Sequence, residues 1–329
     1  MERINIKNKK YNLVSLFAGI GGIDLGFEFA GFNCIWANDF DKWACQTYRA
    51  NVGEHIVEGD IRLVKDQIPD HDILVGGFPC QPFSTLGKLQ GFEDEQNRGT
   101  LFFEIMDIVK KHDTKVIVLE NVKNLITHDK GNTFKRILKE LDEAGYYTNW
   151  QILNSQDYGV PQRRNRVFLV CFSKKYFKNV DFEYPEKEEL KVTTQDLLDE
   201  DVPENYFLTE KISHTILGEG TKGYIVKPTI DLPISKTLTA TMHKMHRASQ
   251  DNYVTDQKNY DRNVKDKVKR INVRKLTPNE CRKLQGFPSD WKQVVADGHA
   301  YKQFGNAVTV NVAYKVAFNV MKHIKQNRL

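Results

Sequence analysis

The chain contains little cysteine and no long apolar run. Its five cysteines are scattered, and no two of them have the CxxC spacing of a zinc site or a redox pair. No stretch reaches the length of a membrane span, and the first residues, MERINIKNKK, lack the apolar core of a signal peptide. These absences predict a soluble, cytoplasmic protein with free thiols and without a structural metal or a disulfide framework.

Neither positive nor negative side chains are in large excess. The net charge is +5, and hydrophobic residues make up 40% of the 329 positions. Such a charge is compatible with an anionic partner but does not require one. The length allows one large domain with a hydrophobic core, alone or beside a smaller domain.

Short apolar runs alternate with amphipathic stretches in the first half of the chain. Strands are predicted at residues 13–17, 34–37, 73–75 and 116–119, and helices at residues 23–30, 42–51, 100–111 and 133–144. This alternation predicts an α/β fold with a doubly wound, mostly parallel sheet. Later strands at residues 149–153 and 167–172 are candidates for an antiparallel edge. A last helix is predicted over residues 306–325, where every fourth residue from Val308 to Val320 is valine.

The region between these helices and strands differs in charge from the rest of the chain. Residues 185–235 are predominantly acidic, and residues 243–275 are predominantly basic. One interpretation is an irregular, solvated insertion. The other is a small, irregular second domain whose basic half faces the phosphates of a nucleic acid.

A glycine-rich turn follows the first predicted strand. Gly19, Gly21 and Gly22 form a G-x-G-G pattern before a helix, which suits close approach of a nucleotide-type ligand to the backbone. Asp39 ends the second strand and could accept hydrogen bonds from ribose hydroxyls, and Asp60 could accept one from an adenine amino group. The alternative is a packing turn with two capping aspartates.

A cysteine lies in a proline-rich turn after the strand at residues 73–75. Pro79 and Pro82 flank Cys80 and Gln81, at the strand end where open α/β sheets bind their ligands. The pattern favours an exposed, aimed thiol over an inert buried one. The polar stretch that follows, residues 81–98, is a loop that could close over a substrate, or an ordinary surface loop.

A carboxylate and two arginines complete the set of candidate site residues. Glu120 ends a strand that is predicted to be parallel to the strand before Cys80, so both side chains can share one pocket. Arg164 and Arg166 occupy alternate positions of a predicted strand and should point the same way. Alone, Glu120 could be a helix cap and the arginines a basic edge.

In chain order these segments resemble the motifs of the bacterial cytosine-5 DNA methyltransferases. The matching segments are FAGIGG, GFPCQPFS, ENV, QRRNR, RKLTPNECRKLQGFP and QFGNAV. The resemblance covers the chain except for residues 187 to about 272. It implies a catalytic and cofactor-binding domain at residues 1–186 plus 303–329, with a target-recognition domain at residues 187–302.

The resemblance also implies roles for individual residues. The residues expected to be catalytic are Cys80 as nucleophile, Glu120 at the cytosine ring nitrogen, Arg166 as an anchor of the base, and Arg164, the weaker of the two arginines. The residues expected to bind S-adenosylmethionine are Phe17, Gly19, Gly21, Gly22, Asp39, Asp60, Pro79, Leu101, Asn306 and Ala307. The residues expected to contact DNA are Gln81, Ser84, Thr237, Lys244, His246, Arg247, Gln250 and Asn252. The family often has Glu before an aromatic residue where this chain has Asp39 and Phe40, and the shorter acid can still accept hydroxyl bonds.

The implied activity is transfer of a methyl group from S-adenosylmethionine to carbon 5 of a cytosine that is flipped out of duplex DNA. We expect no metal, a monomer on DNA, and a restriction endonuclease as a genetic partner. Three alternatives remain: a relative acting on cytosine in transfer RNA, a dinucleotide oxidoreductase, and a DNA-binding regulator without catalysis. The region between QRRNR and RKLTP favours DNA, and the G-x-G-G turn argues against the oxidoreductase.

Overall fold

The chain divides into two compact units in a computed structural model that describes residues 10–78, 101–178, 180–221, 223–267 and 269–327. The sheet unit comprises Arg3–Leu153, Asn165–Glu186 and Val312–Leu329. Among the described residues, the insert unit comprises Asn154–Arg164 and Lys187–Asn311. Each unit is therefore built from separate stretches of the chain.

The described residues form strands and helices in the following order. The strands of the first half are β1 (Asn12–Leu16), β2 (Asn33–Asp39), β3 (Ile56–Glu58), β4 (Ile73–Gly77), β5 (Val116–Val122), β6 (Tyr146–Asn154), β7 (Gln162–Arg163) and β8 (Asn165–Ser173). The later strands are β9 (Phe207–Thr209), β10 (Gly220–Thr221), β11 (Tyr224–Ile225), β12 (Ser235–Lys236), β13 (Tyr253–Thr255) and β14 (Arg270–Lys275). The helices are α1 (Gly22–Phe29), α2 (Lys42–Asn51), α3 (Ile61–Val64), α4 (Leu101–His112), α5 (Asn132–Glu143), α6 (Glu210–Ile216), α7 (Gln257–Asn263), α8 (Pro278–Leu284), α9 (Asp297–Asn306) and α10 (Val310–Gln326).

The large sheet confirms the predicted α/β fold. Its described strands have the order β3–β2–β1–β4–β5–β8–β6, and β3, β2, β1, β4 and β5 pair in parallel. The strand β8 pairs antiparallel with β5, as the candidate antiparallel edge required. Parallel strands buried on both faces are rich in valine, isoleucine and leucine, which is the composition of β4 and β5.

Four neighbouring strands of this sheet end at the same edge. Register pairs Leu16 with both Asn38 and Gly76, and Gly77 with Glu120. The chain therefore leaves β1, β2, β4 and β5 on one side of the sheet, and we call this side the carboxyl edge. An open α/β sheet binds its ligands at this edge.

The prediction of a single helix over residues 306–325 is wrong at the start of that range. The helix α9 ends at Asn306, and α10 begins at Val310, so the chain between them is not helical. Ala307 has extended backbone angles, and the side chains of Arg164 and Gln285 donate to its carbonyl. The amide of Val310 donates to the carbonyl of Gln285. These bonds replace the helical ones, which the valine spacing alone could not reveal.

Close packing of α10 on α1 explains one glycine. A Cβ at Gly26 would lie 2.5 Å from the Cβ of Ala313 and 2.6 Å from the amide nitrogen of Tyr314. The two helices therefore contact each other through backbone at this point. Further along α10, Val316, Ala317, Val320 and Ile324 are buried.

The insert unit has its own small sheet and hydrophobic core. The strand β14 pairs antiparallel with β13 and β9, and Leu208, Ile216, Ala248, Tyr253 and Val273 form a buried cluster beside them. Arg274 on β14 is fully buried, and its guanidinium binds Glu280 and Asp256. This ion network ties β14 to α7 and α8.

No helix in the described part of the chain is both long and apolar enough to cross a membrane. Among the same residues, no group of three or more histidine, cysteine, aspartate and glutamate side chains is arranged to hold a metal ion.

Candidate active site

The glycine turn after β1 is open on one side and packed on the other. Phe17, Gly19 and Gly21 have positive φ angles of 55°, 57° and 85°. A Cβ at Gly19 would meet nothing within 4 Å, whereas one at Gly21 would lie 2.9 Å from Val52 and 3.0 Å from the ring of Tyr48. Gly21 is thus required by packing, and Gly19 leaves free space for a ligand beside the backbone. Gly22 is the first residue of α1.

Asp39 holds this turn in place from the end of β2. Its two carboxylate oxygens accept hydrogen bonds of 2.8 Å from the amides of Gly19 and Asp41. The side chain is buried, and burial raises the pKa of Asp39 while these amide bonds lower it. Each oxygen retains a lone pair that can accept a further bond, as a ribose hydroxyl would require.

Phe40 is a candidate that sequence reasoning missed. It directly follows Asp39 at the carboxyl edge, and 76% of its surface is exposed. A large exposed aromatic ring beside an open glycine turn offers a flat face for a planar ligand. The Asp-Phe pair was visible in the sequence, but exposure of the ring was not.

The remaining predicted cofactor residues of the sheet unit are Asp60 and Leu101. Asp60 caps α3, and its carboxylate is bound by the guanidinium of Arg62, which lowers the pKa of Asp60. An adenine amino group would therefore share this carboxylate with Arg62. Leu101 is the first residue of α4 and packs against the main hydrophobic cluster of the sheet unit.

Glu120 and Arg166 form an ion pair at the carboxyl edge. The Nε atom of Arg166 lies 3.0 Å from Oε1 of Glu120, and the side chains are only 16% and 10% exposed. Burial lowers the pKa of Arg166, and the Glu120 carboxylate opposes that shift. The Nη1 group of Arg166 also donates to the carbonyl of Asn165. The pair therefore presents a fixed carboxylate and a fixed guanidinium side by side.

The strand that leads to Cys80 is held next to this pair. Gly77 lies opposite Glu120 in the β4–β5 pairing, and the side-chain amide of Asn121 donates to the carbonyl of Phe78 at 2.8 Å. Cys80 and its predicted neighbours Pro79, Gln81 and Ser84 lie outside the described residues. Phe78 is the last described residue before them.

The other cysteines are unsuited to nucleophilic chemistry. Cys34, Cys45, Cys171 and Cys281 are all buried. Burial raises the pKa of Cys45 and of Cys171 to about 12, and raises those of Cys34 and Cys281 well above the ordinary value. A thiol in such a position stays protonated at neutral pH and reacts slowly.

Arg164 does not share a strand with Arg166, so the prediction that the two point the same way from one strand is wrong. Arg164 lies between β7 and β8 and belongs to the insert unit. It is 1% exposed, and its guanidinium donates to the carbonyls of Leu238, Gly305 and Ala307 at 2.9, 2.9 and 2.7 Å. These bonds explain why the chain is not helical after Asn306. Asn306 is exposed there, and Ala307 is buried.

The predicted DNA contacts of the insert unit are of two kinds. The side chains of Thr237, Arg247 and Asn252 bind main-chain groups of their own unit. Lys244 and Gln250 are exposed, and His246 is half-buried. Lys244 and Gln250 are therefore the side chains with the most freedom to reach a partner, while Thr237, Arg247 and Asn252 maintain the local fold.

Comparison with known proteins identifies relatives over nearly the whole chain. A family model described as C-5 cytosine-specific DNA methylase matches residues 11–322. Type II methyltransferase M.HhaI of Haemophilus parahaemolyticus is 37% identical over 96% of this chain and 97% of its own length. Type II methyltransferase M.HpaII of Haemophilus parainfluenzae is 40% identical over 92% of this chain and 87% of its own length.

Solved structures show the same fold. The Dnmt2 methyltransferase of S. pombe superimposes with a TM-score of 0.72 at 18% identity, covering 97% of this chain and 99% of that one. The methyltransferase EhMeth of Entamoeba histolytica gives a TM-score of 0.68 at 22% identity, covering 98% and 100% of the two chains.

Proposed function

Since the chain belongs to the C-5 cytosine-specific DNA methylases, and is thus a DNA (cytosine-5-)-methyltransferase, we propose that it methylates a cytosine within a specific short sequence of duplex DNA, with S-adenosylmethionine as methyl donor. The buried Glu120–Arg166 pair beside the strand that leads to Cys80 is the observation that carries this proposal. A fixed carboxylate and guanidinium at the carboxyl edge suit recognition of a base with both donor and acceptor groups.

The glycine turn and its neighbours fit the proposed cofactor. Gly19 leaves space beside its backbone, Asp39 has acceptor capacity for ribose hydroxyls, and Phe40 offers an exposed ring for adenine. When bound, S-adenosylmethionine supplies an electrophilic methyl group on a sulfonium. We propose Phe17, Gly21, Gly22, Asp60 and Leu101 as further parts of this site in the sheet unit; Pro79, Asn306 and Ala307 stay predictions.

The residues of the chain then activate the cytosine. The thiolate of Cys80 adds to carbon 6, and the electron pair of the ring double bond makes carbon 5 nucleophilic. Glu120 stabilises charge at the ring nitrogen and the exocyclic amine, and Arg166 holds Glu120 while anchoring the base. After methyl transfer, loss of the carbon 5 proton returns an electron pair to the ring, and Cys80 leaves as thiolate.

We assign Arg164 a structural role instead of a catalytic one. Its guanidinium is engaged by three main-chain carbonyls of the insert unit, and it is almost completely buried. A cation used in this way fixes the segment that contains Asn306 and Ala307.

We propose that the insert unit reads the DNA sequence. Lys244 and Gln250 are its best exposed candidates, because lysine suits guanine edges and glutamine suits adenine. Gln81 and Ser84 are candidates for filling the gap that the flipped base leaves. We further propose that the chain is a modification enzyme that acts in the cytoplasm, as a monomer on DNA and beside a separate restriction endonuclease; the likeness to Type II methyltransferases supports the modification role.

A labelling experiment tests this function. The protein and its Cys80→Ala variant are incubated with methyl-labelled S-adenosylmethionine and either mixed-sequence duplex DNA or transfer RNA. We expect the wild type to label DNA and Cys80→Ala to label nothing, while a Cys45→Ala control, which removes a buried thiol, keeps activity. Label in transfer RNA alone would move the enzyme to an RNA substrate, and equal labelling by Cys80→Ala would refute the nucleophile.

A further inference from the structure

Asp24 is a buried carboxyl that the proposed reaction does not use. It lies in the first turn of α1, directly after the glycine turn, and its surface is 0% exposed. Within the described residues, neither of its oxygens has a hydrogen bond of normal geometry, and the hydroxyl of Ser15 has none either. A buried carboxyl without such bonds is costly, so its presence calls for a physical reason.

The groups around Asp24 come from three strands or helices besides its own. The hydroxyls of Ser15 on β1 and Tyr48 on α2 face it, and Cys34 and Asp39 on β2 interact with it electrostatically, as does Glu28 one turn further along α1. Burial raises the pKa of Asp24 to about 7, with Glu28 and Asp39 raising it further, while the nearby Ser15 and Tyr48 hydroxyls lower it. Near neutral pH the carboxyl is therefore divided between its protonated and charged forms.

A polar chain connects this carboxyl to the outside. The hydroxyl of Tyr48, which faces Asp24, hydrogen-bonds with Nε2 of His55 at 2.9 Å. His55 is only half-buried. A proton can thus reach Asp24 without exposure of the carboxyl itself.

Asp24 also lies close to the glycine turn along helix α1. It follows Gly21 by three residues, which is about 4.5 Å along a helix. The ring of Tyr48 fills the space beside Gly21. Because Asp24 is already fully buried, a ligand in the turn cannot desolvate it further, and the ligand's charge dominates any effect on Asp24.

We propose that Asp24 lets the cofactor site distinguish S-adenosylmethionine from its product by charge, through a carboxylate that favours the sulfonium cation. This inference rests on the proposed function. The sulfonium carries one positive charge and one methyl group that the thioether of S-adenosylhomocysteine lacks, and the two molecules are otherwise alike. Binding of the cation lowers the pKa of Asp24 and releases a proton, whereas binding of the product does not.

The sign of the pH dependence follows from this linkage. Below about pH 6, Asp24 is protonated and both ligands meet a neutral group. As the pH rises toward about 7, the carboxylate forms, and affinity for S-adenosylmethionine rises and then levels off. Affinity for the product changes less, so the preference for S-adenosylmethionine over the product increases on the order of fivefold.

Calorimetry tests the proposal with three proteins: the wild type, Asp24→Asn, and Asp66→Asn as a control that removes an exposed carboxyl of the same unit. Dissociation constants for both ligands are measured from about pH 5.5 to about pH 8.5, in two buffers of different ionisation enthalpy. We expect proton release on binding of S-adenosylmethionine by the wild type and by Asp66→Asn. In Asp24→Asn, the ratio of the two dissociation constants should not vary with pH, apart from any change caused by titration of the amino group of the cofactor itself.

The outcomes separate this inference from the proposed function. If both ligands bind but the wild type and Asp24→Asn share one pH profile, the role of Asp24 is refuted and the function stands. If neither ligand binds at any pH, the proposed function fails and this inference with it. If Asp24→Asn does not fold, the proton release measured for the wild type in the two buffers provides the test. Release on binding of S-adenosylmethionine alone supports the role of Asp24. Equal release on binding of both ligands overturns it.

Discussion

The two units bury carboxylates in opposite ways. In the insert unit, Glu280 is 1% exposed and accepts four hydrogen bonds, two from Arg274 and one each from the amides of Thr277 and Asp199. In the sheet unit, Asp24 is equally buried, but its oxygens have no normal hydrogen bond among the described residues. A paired carboxylate has a fixed charge and holds architecture, while an unpaired one can change its charge. The comparison suggests that Glu280 serves the fold and that Asp24 serves the ligand.

Breaking the paired network should have the largest effect on stability. We expect Glu280→Gln to lower the free energy of unfolding of the insert unit by about 3–5 kcal/mol, because Arg274 stays buried without its main counter-ion. Hydrogen exchange at β14 and α8 would report the loss locally. Asp261→Asn, at an exposed ion pair with Lys267 in the same unit, serves as the control. Unchanged exchange in Glu280→Gln would show that the network is dispensable.

Neutralising the unpaired carboxyl should change the pH dependence of stability instead. The pKa of Asp24 is raised in the folded protein, so the stability it contributes is fully present below about pH 4 and is lost as the pH rises through about 7. We expect the wild type to lose up to about 4 kcal/mol relative to Asp24→Asn over this range. Chemical unfolding of both proteins at several pH values measures this difference. Parallel pH profiles would contradict the assigned protonation.

The two arginines extend the comparison to function. We expect Arg164→Lys to lower the free energy of unfolding by about 2 kcal/mol, since an ammonium cannot reach three carbonyls as a planar guanidinium does. Arg166→Lys should leave stability nearly unchanged but reduce kcat on the order of a hundredfold, because the side-by-side contact with Glu120 is lost. Thermal unfolding and single-turnover methylation measure the two effects. A loss of stability in Arg166→Lys together with a loss of kcat alone in Arg164→Lys would show that the two residues have the opposite roles.

The smallest effect is expected at an exposed pair. Arg62 binds the carboxylate of Asp60 at the surface, and such pairs contribute little to stability. We expect Arg62→Gln to leave Tm unchanged while raising the pKa of Asp60 toward its ordinary value. A carboxyl-selective NMR titration follows the pKa, and calorimetry follows affinity for S-adenosylmethionine. A large fall in Tm would show that the pair belongs with Glu280 in the group of structural ion pairs.

The sequence predicted the sheet unit well because its signals are local. Alternation of apolar runs located the parallel strands β1, β2, β4 and β5 to within a few residues, and it placed Glu120 near the carboxyl end of β5; the short parallel strand β3 was missed. The resemblance to the cytosine-5 DNA methyltransferase family was confirmed by the family match and the relatives. The break after Asn306 was missed because it depends on Arg164, which is distant in sequence, while the valine spacing continues across it. The burial of Asp24 and the exposure of Phe40 were missed for the same reason: both are set by tertiary packing.

The close contact between Gly26 and Ala313 has a consequence for synthesis of the protein. The helix α1 is translated well before its partner α10, which follows almost 300 residues later, after nearly all of the insert unit. At roughly 5–20 residues per second, this interval lasts about 15–60 s on the ribosome. Throughout it, the surface of α1 around Gly26 lacks the helix that covers it in the finished protein. The nascent chain therefore exposes apolar surface for that time, and chaperones that bind such surface should associate with it until α10 emerges.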